Sequence, residues 1–378
     1  MYKRSLNLKE LLTKKSFFLF GARSTGKSTL IKTTLENYKL YDLLNSRTYK
    51  NLLKNPNLIE EEYNGEDIIV IDEVQKLPSI LDEVHRLIFE KKITFLLTGS
   101  SARKLKHGGA NLLAGRAWSA ELYPLTFNEI DDFDLLKVLN FGSLPQVYTS
   151  PEPEEELDSY ISTYIQEEIK SEAVTRNISA FTEFLDILAL ANGDEINYES
   201  LASDCGVSPN TLKNYIQILD DTLLGFHLHA YTKTKKRKAI SRAKYYLFDI
   251  GVTNFLANRS NIKAKSKEFG DAFEQFIILE IKSYLSYSRS KSKMYYWRST
   301  SKFEVDLIID DNFAIEIKSS DNITAKHLKG LKAINEEGIF SNLICISTCE
   351  AKRKTKDGVT VYPWQEFLKD LWSDKILS

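Results

Sequence analysis

The sequence predicts an α/β protein in three parts, and three stretches carry that reading. FFLFGARSTGKSTLIK, residues 17 to 32, is an apolar strand running through a glycine turn into a helix. EDIIVIDEVQKLP, residues 66 to 78, is a second apolar strand that ends in two acids. KMYYWRSTSKFEVDLIIDDNFAIEIKSS, residues 293 to 320, is a pair of strands with acids alternating along one face.

In the first stretch Gly21, Gly26, Lys27 and Ser28 fall at the spacing G-x-x-x-x-G-K-[ST]. That spacing, between a strand and a helix, is what a phosphate-binding loop requires. Glycines let backbone N–H groups turn inward around a phosphate, and the helix N-terminus adds partial positive charge. Lys27 is then expected at the β/γ-phosphates, and the Ser28 hydroxyl on Mg²⁺, with Thr29 completing the first helical turn. The bland alternative is a glycine-containing turn without a ligand.

A nucleotide there demands an acid on a neighbouring buried strand. Ile68 to Ile71 is a continuous apolar run, as expected of a parallel strand covered on both faces. It ends in Asp72, expected on the Mg²⁺ hydration shell, and Glu73, expected to polarise the attacking water. In isolation, these two acids read equally as a helix cap. A third apolar run, ITFLLTGSS (93 to 101), ends in the hydroxyls Thr98, Ser100 and Ser101, of which Ser100 is the expected sensor of the γ-phosphate. Strands alternating with helical stretches predict a mainly parallel sheet with its ligand at the carboxyl edge. Arg116, between Gly115 and Ala117, is a candidate arginine finger serving a neighbouring subunit, or an ordinary surface arginine; Arg103 is the weaker alternative.

Composition narrows what surrounds these strands. The 378 residues are too many for one core and suit two or three domains. With 43% hydrophobic and 27% charged residues, the chain is of ordinary globular type. Its net charge of −1 makes any nucleic-acid surface a local patch. Of Cys205, Cys345 and Cys349 only the last two are spaced as a ligand pair, and they sit in an apolar run without histidine neighbours, so core cysteines are expected. No apolar run approaches a membrane span, and MYKRSLNLKE lacks the apolar core of a signal peptide, so a cytoplasmic location is expected.

PEPEEEL (151 to 157) mixes prolines with acids and marks an expected boundary, followed by a connecting helix from Asp158 to Val174. In residues 195 to 231, Leu201 and Ala202 close a short helix, Gly206 permits a tight turn and Ser208 caps a second helix. Leu212, Tyr215, Ile216 and Leu219 recur along it at helical spacing. That is a helix-turn-helix pattern, and FHLHAYTKTKKRKAISRAKYYLFD after it reads as two strands around a basic loop. Lys233, Lys235, Lys236, Arg237, Lys238, Arg242 and Lys244 crowd this loop, and Lys213 lies among the polar positions of the second helix. DNA phosphate contact is the expectation; a lid or subunit contact with a solvated charge run is the alternative.

In residues 293 to 320, Val305, Leu307 and Ile309 alternate to one face and leave Glu304 and Asp306 on the other. Phe313, Ile315 and Ile317 do the same opposite Glu316 and Lys318. A hairpin at Asp310-Asp311-Asn312 therefore brings Asp306, Glu316 and Lys318 together. The set resembles the PD-(D/E)xK nuclease core, with Val305 where the motif has proline. That resemblance implies Mg²⁺ or Mn²⁺ on Asp306 and Glu316, water activation by Lys318, and Glu274 on the upstream helix (268 to 285) as an extra metal ligand. Downstream, Lys326, His327 and Lys329 are expected on a basic helix.

GARSTGKS, IIVIDEVQKLP, FLLTGSSAR, LAGR and YPLTFNEI, in this order, resemble the bacterial and archaeal AAA+ ATPases that carry a C-terminal domain of unknown function. The resemblance runs on through FGSLPQVY and YISTYIQEEI and covers nearly the whole chain. It implies a P-loop AAA+ ATPase domain (1–150), a helical linker and winged-helix domain (151–255) and an α/β restriction-endonuclease-like domain (256–378). ATP binding and hydrolysis follow from it; association with DNA is expected from the basic loop and the acidic cluster, and a homo-oligomer from Arg116 acting on a neighbouring subunit. The alternative is an ATP-dependent switch whose nuclease-like domain is a catalytically silent platform.

Overall fold

The computed structural model describes residues 2–101, 115–165 and 178–377. Arg103 and the greater part of the connecting helix expected from Asp158 to Val174 lie outside these residues.

The described residues form two compact units, Met1–Leu125 with Gln217–Leu224, and Thr126–Ile216 with Gly225–Ser378. The first contains strands β1 (Ser16–Phe20), β2 (Tyr38–Asp42), β3 (Ile68–Asp72), β4 (Thr94–Gly99) and β5 (Ala117–Glu121). They lie in the order β2-β3-β4-β1-β5, and every neighbouring pair is parallel. All five residues of β1 are buried, which is why an unbroken apolar run encodes it. Helix Ile80–Lys91 covers one face, packing Val84 and Leu87 into a cluster with Phe18, Phe20, Ile69, Ile71, Phe95 and Leu97.

The second unit is built on strands β6 (Gly225–Ala230), β7 (Lys244–Leu247), β8 (Met294–Arg298), β9 (Glu304–Ile309), β10 (Phe313–Lys318), β11 (Asn342–Ser347), β12 (Arg353–Lys354) and β13 (Thr360–Pro363). Their order is β12-β13-β11-β10-β9-β8-β6-β7 in one mixed sheet. β9 and β10 form the expected hairpin, with Ile315 opposite Leu307, and β10 runs parallel to β11. Both strands of the hairpin are buried almost throughout, so the sheet is covered on both faces rather than on the one that strict alternation implies.

Helices Tyr198–Asp204 and Pro209–Asp221 flank the left-handed Gly206, and Ser208 Oγ accepts the Thr211 N–H at 3.1 Å as the cap of the second. Tyr215 packs its ring 4.8 Å from that of Phe181. The two strands read around the basic loop are β6 and β7, an antiparallel pair. They are not a free-standing wing: β6 pairs in parallel with β8 through His229 and Ala230, joining the hairpin to the C-terminal sheet. Residue 255 and PEPEEEL both fall inside the second unit, where Pro153–Ser159 is helical. Among the described residues no helix is long and apolar enough to cross a membrane.

Candidate nucleotide site and acidic centre

β1, β4 and β3 are neighbours, so the residues after their carboxyl ends converge. Gly26 adopts φ 94°, the left-handed conformation glycine takes without strain, and caps helix Lys27–Thr34. Gly21 has no room for a side chain, because a Cβ there would lie 2.6 Å from the Leu122 carbonyl oxygen. Lys27 is buried, and its ammonium donates to the Gly21 carbonyl at 2.8 Å and the Ala22 carbonyl at 3.1 Å. Ser28 and Thr29 are exposed on the first turn of the helix. A lysine curled onto the carbonyls of its own glycine loop, beside a helix N-terminus, fits a phosphate that would take those donors.

Asp72 ends β3, and the Thr98 hydroxyl of β4 donates to its Oδ1. Glu73 follows in the left-handed region at φ 59°. Its carboxylate accepts from the Gln75 amide and from the Ser100 hydroxyl at 3.4 Å, while Gln75 Nε2 also lies 3.0 Å from Ser100 Oγ. Ser100 thus touches Glu73, and Thr98, which the sequence offered only as an alternative, touches Asp72. Gln75 was not read from the sequence at all; its place two residues beyond the acid pair was the available signal. It packs so closely that a Cβ on Gly99 would lie 2.5 Å from its Oε1.

Arg116 stands elsewhere. It precedes β5, at the amino end of the parallel sheet, with its guanidinium 5.3 Å from the exposed Phe89 ring. The far end of a five-residue strand is about 16 Å away, so Arg116 does not serve the phosphate loop of its own chain.

The second unit gathers the other acids. Asp306 and Glu316 are 5% and 6% exposed, and the Lys318 ammonium sits between them, 3.1 Å from Asp306 Oδ2 and 2.7 Å from Glu316 Oε1. Asp306 Oδ2 also accepts the Ile317 N–H at 2.7 Å. Glu316 Oε2 is buried without a hydrogen-bond partner. Burial and the Asp306 charge push the Glu316 carboxyl well above its usual range. Burial opposes the charge on Lys318, but Asp306 and Glu316 prevail and raise it above an ordinary lysine.

Glu274 lies on helix Lys267–Tyr287 as expected, yet it is engaged elsewhere. Its Oε1 accepts from Tyr246 Oη at 2.7 Å and lies 3.5 Å from the Lys244 ammonium, which also pairs with Glu304 at 2.8 Å. Among the described residues no group of three or more His, Cys, Asp or Glu is arranged to hold a metal ion. The donor set expected from Glu274, Asp306 and Glu316 is therefore divided: lysines neutralise both halves. The orphaned Glu316 Oε2, the carboxylate oxygen that Lys318 does not hold, is the donor still open to a cation.

The basic loop also differs from its reading. Lys244 is not a surface cation but 5% exposed. Glu337 accepts the backbone N–H groups of Lys235, Lys236 and Arg237 at 2.8, 2.8 and 3.0 Å. Arg237 donates to the Ala333 carbonyl and to Glu336, and Lys236 to the Glu336 carbonyl. Lys233 grips Asp311. Lys238 and Lys213 are exposed, the latter 5.7 Å from the Tyr198 ring. Lys326 and His327 precede helix Lys329–Asn335 rather than lying on it. Cys345 and Cys205 are buried, and Cys349 is half-buried.

Three sequence families match successive parts of the chain: the AAA domain over residues 13–131, a domain of unknown function (DUF8612) over 132–263, and a second domain of unknown function (DUF4143) over 269–367. An uncharacterized protein of Mycobacterium tuberculosis is 23% identical over 373 residues, covering 95% of this chain and 82% of its own. An uncharacterized protein of Methanocaldococcus jannaschii is 24% identical over 422 residues, covering 94% and 85%. Among solved structures, the replication initiator DnaA bound to AMPPCP and single-stranded DNA is similar at a TM-score of 0.28 and 12% identity, over 57% of this chain and 86% of that one. The AAA-domain match over residues 13–131 thus falls on the parallel β2-β3-β4-β1-β5 sheet that carries the glycine loop, an α/β unit similar to AAA ATPase domains.

Proposed function

We propose that the protein is an ATP-hydrolysing enzyme whose second unit associates with DNA. The observation that carries the reading is the convergence of Lys27, Asp72, Glu73 and Thr98 at the carboxyl ends of neighbouring parallel strands. On this reading Lys27 leaves the Gly21 and Ala22 carbonyls for the β/γ-phosphates. Ser28 and Asp72 hold Mg²⁺, which screens the charge of the phosphates. Glu73, steadied by Gln75 and Ser100, orients the attacking water and takes up its proton. Arg116 reaches a neighbouring copy, which makes a homo-oligomer the active form. The site lies within the cytoplasm, where ATP is supplied.

Lys213 on the second helix of the helix-turn-helix, with the exposed Lys235, Lys236 and Lys238, supplies phosphate contacts, while Arg237 acts by holding the loop to Glu336. Asp306, Glu316 and Lys318 form a divalent-cation centre, with Mg²⁺ or Mn²⁺, directed at the phosphodiester. The test assays ATP turnover and DNA cleavage together on single-stranded, duplex and branched DNA in Mn²⁺, with wild type and Asp306→Ala. DNA-stimulated turnover and cleavage by wild type alone are expected. No stimulation, together with no DNA affinity at low salt, overturns the reading.

A second reading has one observation of its own. Lys318 and Lys244 each neutralise a pair of acids, as in a structural ion-pair network, which favours an ATP-dependent switch with a silent acidic centre. Equal inactivity of wild type and Asp306→Ala, with intact ATP-dependent assembly, selects it.

A further inference from the structure

The acidic centre holds one lysine more than its motif requires. Lys244 reaches it from β7, the strand beside β6, and not from the hairpin that carries Asp306 and Glu316. It is almost fully buried, and it lies over the Tyr296 ring at 5.3 Å. Two residues on, along the same face of β7, Tyr246 donates its hydroxyl to the same Glu274 oxygen that Lys244 approaches. Glu304, the other partner of Lys244, is 3.7 Å from Arg298 Nε, and Arg298 in turn reaches Glu195.

The carboxylates therefore fall into two sets. Lys318 bridges Asp306 and Glu316, and Lys244 bridges Glu274 and Glu304. The sets adjoin, because Glu304 and Asp306 stand two residues apart on the same face of β9. Burial favours the neutral amine of Lys244, but the charges of Glu274 and Glu304 outweigh it and keep the lysine charged. Glu316 keeps one buried oxygen, Oε2, without a hydrogen-bond partner, close enough to Gly330 that a Cβ there would stand 3.3 Å away.

We propose that Lys244 is a positioning residue that holds Glu274 out of the acidic centre, so that the folded protein offers a divalent cation the carboxylates of Asp306 and Glu316 and not a third. The inference rests on the reading of Asp306 and Glu316 as a cation centre. Lys244 and Tyr246 together occupy Oε1 of Glu274, and the positive charge of Lys244 repels a cation there. Replacing Lys244 by a neutral side chain of similar length returns Glu274 to the centre, and the added carboxylate tightens cation binding.

The experiment measures Mn²⁺ binding to the full-length protein by calorimetry and by the electron paramagnetic resonance of free Mn²⁺. The proteins compared are wild type, Lys244→Met, Lys244→Arg, Lys244→Met with Glu274→Gln, and each with Asp306→Asn. Affinity in Lys244→Met is expected to rise about tenfold, to fall back when Glu274→Gln is added, and to stay at the wild-type level in Lys244→Arg. Folded Lys244→Met with unchanged or weaker Mn²⁺ affinity overturns the proposal. Should Lys244→Met fail to fold, Glu274→Gln in the wild-type background decides: unchanged affinity supports the proposal and a tenfold loss overturns it. Binding that Asp306→Asn removes, but that ignores Lys244→Met, defeats the proposal and leaves the cation centre standing. Absence of any Asp306-dependent binding in wild type and in Lys244→Met defeats both.

Discussion

Lys27 donates its ammonium to the carbonyl oxygen of Gly21, six residues earlier, at 2.8 Å. The residue that opens the phosphate loop and the residue that closes it are thereby held together before any ligand enters, and a phosphate has only to displace carbonyl oxygens. Lys27→Ala removes that contact. It is expected to lower ATP turnover by about a hundredfold or more, as loss of a charge-stabilising donor does, and to weaken ATP affinity in a fluorescent-nucleotide titration. Retention of wild-type affinity would argue against the loop as the nucleotide site.

Glu73 and Asp72 separate binding from hydrolysis. Glu73→Gln keeps the shape and the hydrogen bonds to Gln75 and Ser100 but not the base, so turnover is expected to fall by about 10²-fold or more with ATP affinity retained. Thr98→Val removes the hydroxyl that donates to Asp72 and is expected to weaken binding of the Mg²⁺ complex of ATP while leaving metal-free binding unchanged. Measuring KM and kcat as Mg²⁺ is varied distinguishes the two.

Lys213 and Arg237 are both cations near the helix-turn-helix, but their surroundings differ. Lys213 is exposed, whereas Arg237 is committed to Ala333 and Glu336. Lys213→Ala is expected to weaken DNA binding and to reduce the slope of log affinity against log salt by about 0.9. Arg237→Ala is expected instead to cost about 1.5–3 kcal/mol of stability, the net worth of a hydrogen bond to a charged group. Filter-binding across salt concentrations and denaturant unfolding read the two effects.

Glu280 predicts a pH dependence of stability. Its carboxyl is 4% exposed and accepts from the Phe127 N–H at 2.7 Å and from Trp372 Nε1 at 3.0 Å. Burial pushes its pKa up from 4.5 to about 8, so between those values the folded protein keeps a proton that the unfolded chain releases. Stability from this group is full below about pH 4.5 and falls by about 1.4 kcal/mol per pH unit until pH 8. Glu280→Gln, neutral throughout, should flatten that slope in thermal unfolding measured from pH 5 to 9. A slope identical to wild type would remove Glu280 as its origin.

The phosphate loop, the acid pair and the hairpin acids are legible in the sequence because each depends on near neighbours along the chain. Gly21, Gly26 and Lys27 lie within one turn, and the apolar run before Asp72 specifies a buried strand by itself. Alternation along β9 and β10, with a turn between them, is enough to place Asp306 opposite Glu316. Gln75 and Lys244 were not legible, because their partners are Ser100 and Gly99 in one case and Glu274 and Glu304 in the other, brought near only when separate strands and helices pack. The same holds for the basic loop, whose run of cations reads as a solvent-facing patch until Glu336 and Glu337 arrive from the turn after helix Lys329–Asn335, about a hundred residues later in the chain. By itself, then, the sequence determined which residues carry charge and which strands are buried. Which charge neutralises which was decided by the tertiary structure, because a buried ion pair forms only where packing excludes water and leaves the two groups no other partner.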